Sequence, residues 1–239
     1  MMRKVLLDLK SIRKTLYFMA LLAWGILPMI NRYQTQGLPV ELSFGITMRQ
    51  MQMLLPVACS VPVALLLRCQ LEEGCAEPIH AFPAVTKQGP FALLVTEAVL
   101  LIGLCLPLFG LYSKRFGFFP WQELLRTAAQ GFFLQNLAFA SGYLTHFSLA
   151  GLGAQVLVVG AMQLPFLDVN TEGSLSRMIN IYSAVSDLTP RPWEPLRISL
   201  TASCAAILWF IGSLRTKNYM DHSIFKISIE VACNAGDDL

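Results

Sequence analysis

Glu97 lies in the stretch FALLVTEAVLLIGL and is the only charged residue between Gln88 and Ser113. A strongly ionisable side chain near the middle of a bilayer costs roughly 2.5–3.5 kcal/mol on insertion scales, so Glu97 must face protein or water rather than acyl chains. Three duties suit it there: lining a substrate path, holding a proton, or pairing with a neighbouring helix. Gln130, Gln135, Asn136 and His146 form a second polar group, inside another uncharged run. Positions 135 and 146 are eleven apart, close to three helical turns, which predicts a shared face for Gln135 and His146. Gln130 and Asn136 are displaced from that line, and together the four predict a broad packed or cavity-facing surface. Interhelical hydrogen bonding accounts for such residues without a ligand, and substrate contact is the alternative.

Covalent chemistry has little to work with. The chain carries no G-x-x-x-x-G-K-[ST] stretch, no H-E-x-x-H, no G-x-S-x-G and no dinucleotide fingerprint, so ATP hydrolysis and the familiar hydrolytic sites are not expected. His80, His146 and His222 are far apart, and six cysteines at 59, 69, 75, 105, 204 and 233 show neither zinc-knuckle pairs nor disulfide-scaffold density. No metal site and no structural disulfide are expected. An intramembrane enzyme built on Glu97 with His146 would lack a nucleophile or metal cluster. GLGAQVLVVG, with glycines at 151, 153 and 160, permits close helix contact and lacks the strand context of a nucleotide site.

The elements that must position these residues follow from the solvent. Of the 239 residues, 55% are hydrophobic and 14% charged, a balance that makes lipid part of the solvent. Runs without charge, or nearly so, have the length a bilayer demands, roughly 17 to 25 residues. They predict an all-α polytopic membrane protein with six spans at about 15–31, 50–67, 91–113, 127–147, 150–167 and 198–214. The 41 uncharged residues from Thr127 to Leu167 supply two of these, with a turn expected around Ser148, Gly151 and Gly153. A soluble bundle would need polar outer faces, which these runs lack. Pro28, Pro56, Pro62, Pro107 and Pro165 predict bends where a neighbour or water must satisfy a freed carbonyl.

Arg3, Lys4, Lys10, Arg13 and Lys14 precede the first span with only Asp8 opposing them, which favours a cytoplasmic N-terminus in a cell membrane. With leucines interleaved, residues 3–14 also suit a short interfacial helix. An even span count returns the 215–239 tail to the same side. Lys114, Arg115 and Arg126 then fall outside, against the charge tendency. Between spans five and six, Asp168 to Arg197 is long and polar, with Glu194 and the TPRPWEP stretch leading back to the membrane.

The loop between spans two and three reads LEEGCAEPIHAFP, and 23 residues from Arg68 to Pro90 exceed what a crossing needs. Glu73, Gly74, Glu77 and Pro83 resemble the E-x-G-x-x-E segment and following proline that precede the third span in membrane permease subunits of type-2 ABC exporters, of the bacterial multi-drug, peptide or related export class. Glu73 and Gly74 are adjacent here, a departure from some versions of that motif. The six-span layout, basic N-terminal helix and long fifth loop are also similar. The resemblance implies a permease half that pairs with an identical or homologous half and with two copies of a separate ABC ATPase. ATP and Mg would be bound on that partner, with no cofactor on this chain and no nucleic acid involved. Glu73, Gly74, Glu77 and Pro83 would be the ATPase-coupling segment, and residues 1–14 the connecting helix. A non-transporting membrane scaffold or assembly subunit is the alternative.

Overall fold

The computed structural model describes residues 2–71, 89–162 and 194–236. Every regular element among them is helical: α1 Met2–Ser11, α2 Arg13–Gln34, α3 Val40–Leu71, α4 Gly89–Phe116, α5 Trp121–Thr145, α6 Ser148–Met162 and α7 Glu194–Gly236. Four stretches are long and apolar enough to cross a membrane, namely Arg13–Gln34, Val40–Arg68, Gly89–Phe116 and Glu194–Thr216. The expected spans 15–31, 91–113 and 198–214 fall inside three of them. The expected second span, 50–67, occupies only part of α3, which begins at Val40. α5 is long enough but too polar to be counted with them, and α6 is apolar but has 15 residues.

Side-chain contacts fix the helix directions. Asn136 and Gly131 of α5 meet Glu97 and Leu101 of α4, and Leu134 and Ala138 of α5 meet Gln155 and Gly151 of α6, so α4 and α6 run against α5. Arg126 pairs with Glu194 near the starts of α5 and α7, while Phe139 meets Gly212 further along both, so these two run parallel. Trp24 with Leu104 and Asn31 with Tyr112 set α2 parallel to α4. Gln52 and Cys59 of α3 meet Glu123 and Gln135 of α5, which makes these two parallel, so directions alternate along the chain from α2 to α7.

α5 sits in the middle, touching α3, α4, α6 and α7. Thirteen of its 25 residues are buried, among them Arg126, Gln130, Gln135 and Asn136. This enclosure is the physical reason its sequence can be polar, since protein rather than lipid surrounds it. The apolar core has two main parts. One, near the α2–α3 turn, gathers Met48, Met51, Leu55, Leu104, Leu108 and Phe109; the other, toward α1, gathers Ile12, Val63, Leu67, Leu93, Phe139 and Tyr143.

The turn between α5 and α6 is tighter than expected. It uses His146, at φ 56°, and Phe147, whereas Ser148 already begins α6. Gly151 serves packing instead of turning, because a Cβ there would stand 2.9 Å from the Ala138 carbonyl oxygen. α7 continues helical without a break to Gly236, through most of the 215–239 segment.

Arg126, expected in an outer loop, is buried in an ion cluster. Its guanidinium lies 2.9 Å from Glu123 and 2.5 Å from Glu194, and Arg197 lies 3.1 Å from Glu194. Gln52 of α3 donates to the same Glu123 carboxylate. Both glutamates stand in the first turn of a helix, where the exposed amides favour a negative charge. Arg115 is exposed at the end of α4 and donates to Thr35 at 2.7 Å and Ser43 at 3.1 Å, tying the α2–α3 turn to α4.

Removing one partner of a buried pair strands the other charge, at about 3–5 kcal/mol. Glu194→Ala is therefore expected to lower the unfolding midpoint in detergent strongly, and Arg126→Ala with Glu194→Ala to recover part of the loss. A double variant as unstable as the sum of the two singles would remove the coupling.

Candidate functional site

The polar residues singled out on α4 and α5 occupy the inside of the bundle. Glu97, Gln135 and Asn136 have no exposed surface, and Gln130 is almost as deeply buried. Asn136 Nδ2 donates to Glu97 Oε2 at 3.3 Å and, more closely, to the Phe132 carbonyl at 2.8 Å. Glu97 Oε1, Asn136 Oδ1 and Gln135 Oε1 accept no hydrogen bond among the described residues. Buried acceptors of this kind can take a proton on the carboxyl, or a hydrogen bond from water or another donor. Gln130 stands on the same helix, one and a half turns nearer its start.

His146 is elsewhere. It caps the end of α5 in the left-handed conformation, exposed, and its backbone N–H points back to the Gly142 carbonyl. The expected shared face with Gln135 fails because α5 ends at Thr145, so the helical spacing does not extend to residue 146. Among the basic residues, Lys10, Arg13 and Lys14 are exposed along α1 and the start of α2, while Arg3 and Lys4 belong to the α1 backbone. Val5 of α1 and Ile12, just after it, are buried within the protein, whereas Leu6 is exposed. Glu73, Gly74, Glu77 and Pro83 lie outside the described residues.

Proline geometry accounts for a second set of contacts. A proline inside a helix has no N–H for the carbonyl four residues earlier, and its ring opens the preceding turn. Pro62 of α3 and Pro107 of α4 both sit mid-helix. Gln135 Nε2 of α5 donates to the Cys59 carbonyl at 3.1 Å, and Trp24 Nε1 of α2 donates to the Leu104 carbonyl, also at 3.1 Å. Both acceptors are three residues before their proline, on the opened turn. Neighbouring helices thus supply donors beside the weakened hydrogen bonds, as hydrocarbon cannot. Trp24 itself rides on a π-helical turn, Leu22–Ile26, just before Pro28.

Comparison with protein-family models, with curated proteins and with solved structures found no match. The reading of the site therefore rests on its geometry. Among the described residues no group of three or more His, Cys, Asp or Glu is arranged to hold a metal ion, and Cys59, Cys105 and Cys204 are free thiols.

Sequence reasoning missed the donor from Trp24 and the ion cluster. A signal for the cluster was present, since Glu123-x-x-Arg126 and Glu194-x-x-Arg197 repeat one pattern at two helix starts. No sequence signal paired Trp24 with α4, because that contact joins residues 80 apart.

Glu97→Gln retains a hydrogen-bonding partner for Asn136, whereas Glu97→Leu leaves that buried amide the Phe132 carbonyl alone, at about 1–3 kcal/mol. The Gln variant is expected to keep wild-type expression and detergent stability, and the Leu variant to lose both. Equal behaviour of all three proteins would show that the carboxylate position has no polar duty.

Proposed function

We propose that this chain is the permease subunit of an ATP-driven ABC transporter, an exporter, which couples through a cytoplasmic loop to a separate ATPase. In this reading α5 and α6 complete six crossings, with the N- and C-termini on the cytoplasmic side of the cell membrane. Alternating helix directions from α2 to α7 support the crossing pattern. The observation that carries the transport reading is the acceptor-rich interior at Glu97, Gln135 and Asn136, enclosed by helices whose prolines permit bending. A permease requires such a polar interior and helices able to change shape, and supplies no covalent chemistry.

The coupling assignment rests on the resemblance of Glu73, Gly74, Glu77 and Pro83 to the exporter segment. Their neighbours suit it: α3 ends at Leu71, α4 begins at Gly89, and α1 packs beside α4. A force on the intervening loop would reach two helices at once. ATP and Mg belong to the partner ATPase, present in two copies, and a second permease half completes the assembly.

Joint replacement of Glu73 and Glu77 by Ala is expected to leave membrane insertion intact while reducing copurification of the ATPase and transport. Full copurification with full transport would remove the coupling assignment. Topology has its own check. Lys114→Cys, at an exposed position, should react with a membrane-impermeant maleimide added to intact cells, and labelling only after lysis would reject the proposed orientation.

A further inference from the structure

Two cysteines meet where α3 packs on α4. Cys59 has no exposed surface and Cys105 is 2% exposed, and both belong to the apolar core that also holds Leu55, Leu104 and Leu108. The two thiols interact directly, side chain to side chain, and both are free. Each sits on a turn opened by a proline, since Cys59 precedes Pro62 by three residues and Cys105 precedes Pro107 by two. Neighbouring helices reach the same turns, with Gln135 on the Cys59 carbonyl and Trp24 on the Leu104 carbonyl. The thiol pair therefore joins the two places where α3 and α4 are built to bend.

A single buried cysteine is ordinary apolar filling. Two thiols in mutual contact, contributed by different helices, are one oxidation away from a covalent link. We propose that Cys59 and Cys105 form a disulfide that locks α3 to α4 when a small uncharged peroxide enters the bundle. One sulfur attacks a peroxide oxygen, the O–O bond breaks, and a sulfenic acid and one water result. The second sulfur displaces the sulfenic oxygen as another water, and the S–S bond forms. The peroxide gains the two electrons that the thiols lose, and both thiol protons leave in water. Burial slows the first attack by limiting access, and it equally keeps out bulky charged thiol reductants, so the link outlasts the oxidant. The site is independent of any transport role.

The test treats the folded full chain in mild detergent with hydrogen peroxide, then unfolds it in excess maleimide and digests it without reduction. Mass spectrometry of the wild type should find a peptide pair joining Cys59 to Cys105. In a chain with Cys69, Cys75, Cys204 and Cys233 replaced by Ser, maleimide adducts should fall from two to none, and dithiothreitol added after unfolding should restore both. Chains unfolded before the peroxide should lose this selectivity and pair their six cysteines in mixed combinations. Absence of the Cys59–Cys105 peptide pair from the treated wild type would overturn the proposal without reference to any variant. Two adducts retained by the Ser-substituted chain would overturn it as well, as would a link that joins two chains.

Discussion

Hydrocarbon offers no hydrogen bond, so each polar group carried into it must find a partner within the protein. α5 meets this constraint at its most severe, because Arg126, Gln130, Gln135 and Asn136 all project from one helix and all are buried. Enclosure by α3, α4, α6 and α7 resolves it. The apolar character of those helices, with Val156, Leu157, Ile207 and Phe210 exposed on α6 and α7, is the counterpart of the polar character of the helix they surround. α5 is accordingly the helix least able to stand alone in lipid, and the others form the environment that permits it.

The bundle is pinned differently along its length. At the α5 and α7 starts, two glutamates and two arginines neutralise one another within a few ångströms. Such a cluster adds little net stability compared with an apolar replacement, but mismatching it is costly, so it sets the register of α5 against α7. At mid-depth the ties are single hydrogen bonds from Gln135 and Trp24 onto carbonyls beside prolines. A bond of this kind contributes about 1 kcal/mol, little enough to exchange when the helices shift. The stronger fixings thus lie at one end and the weaker ones at the bend points.

Much of this was legible in residue order because lipid imposes a length rule. Charge-free runs located α2, α4 and the first part of α7, and the burial of Glu97 followed from its cost in a bilayer. The start of α3 was not legible, since Glu41 and Arg49 break the apolar run although both lie on the helix. Pairings between distant segments were equally hidden. Arg126 read as a misplaced outer charge because its partner Glu194 lies 68 residues away. His146 was assigned to the wrong environment because spacing alone does not reveal that a helix stops one residue short.

The unbroken course of α7 has a mechanical consequence. Its 43 residues would measure about 64 Å at 1.5 Å each, roughly twice the hydrocarbon thickness. The last twenty, residues 217–236, continue the helix for about 30 Å past Glu194–Thr216, the part apolar enough to cross a membrane. Gly212 packs against the Phe139 ring, so a displacement carried along this helix would meet the central helix at that contact.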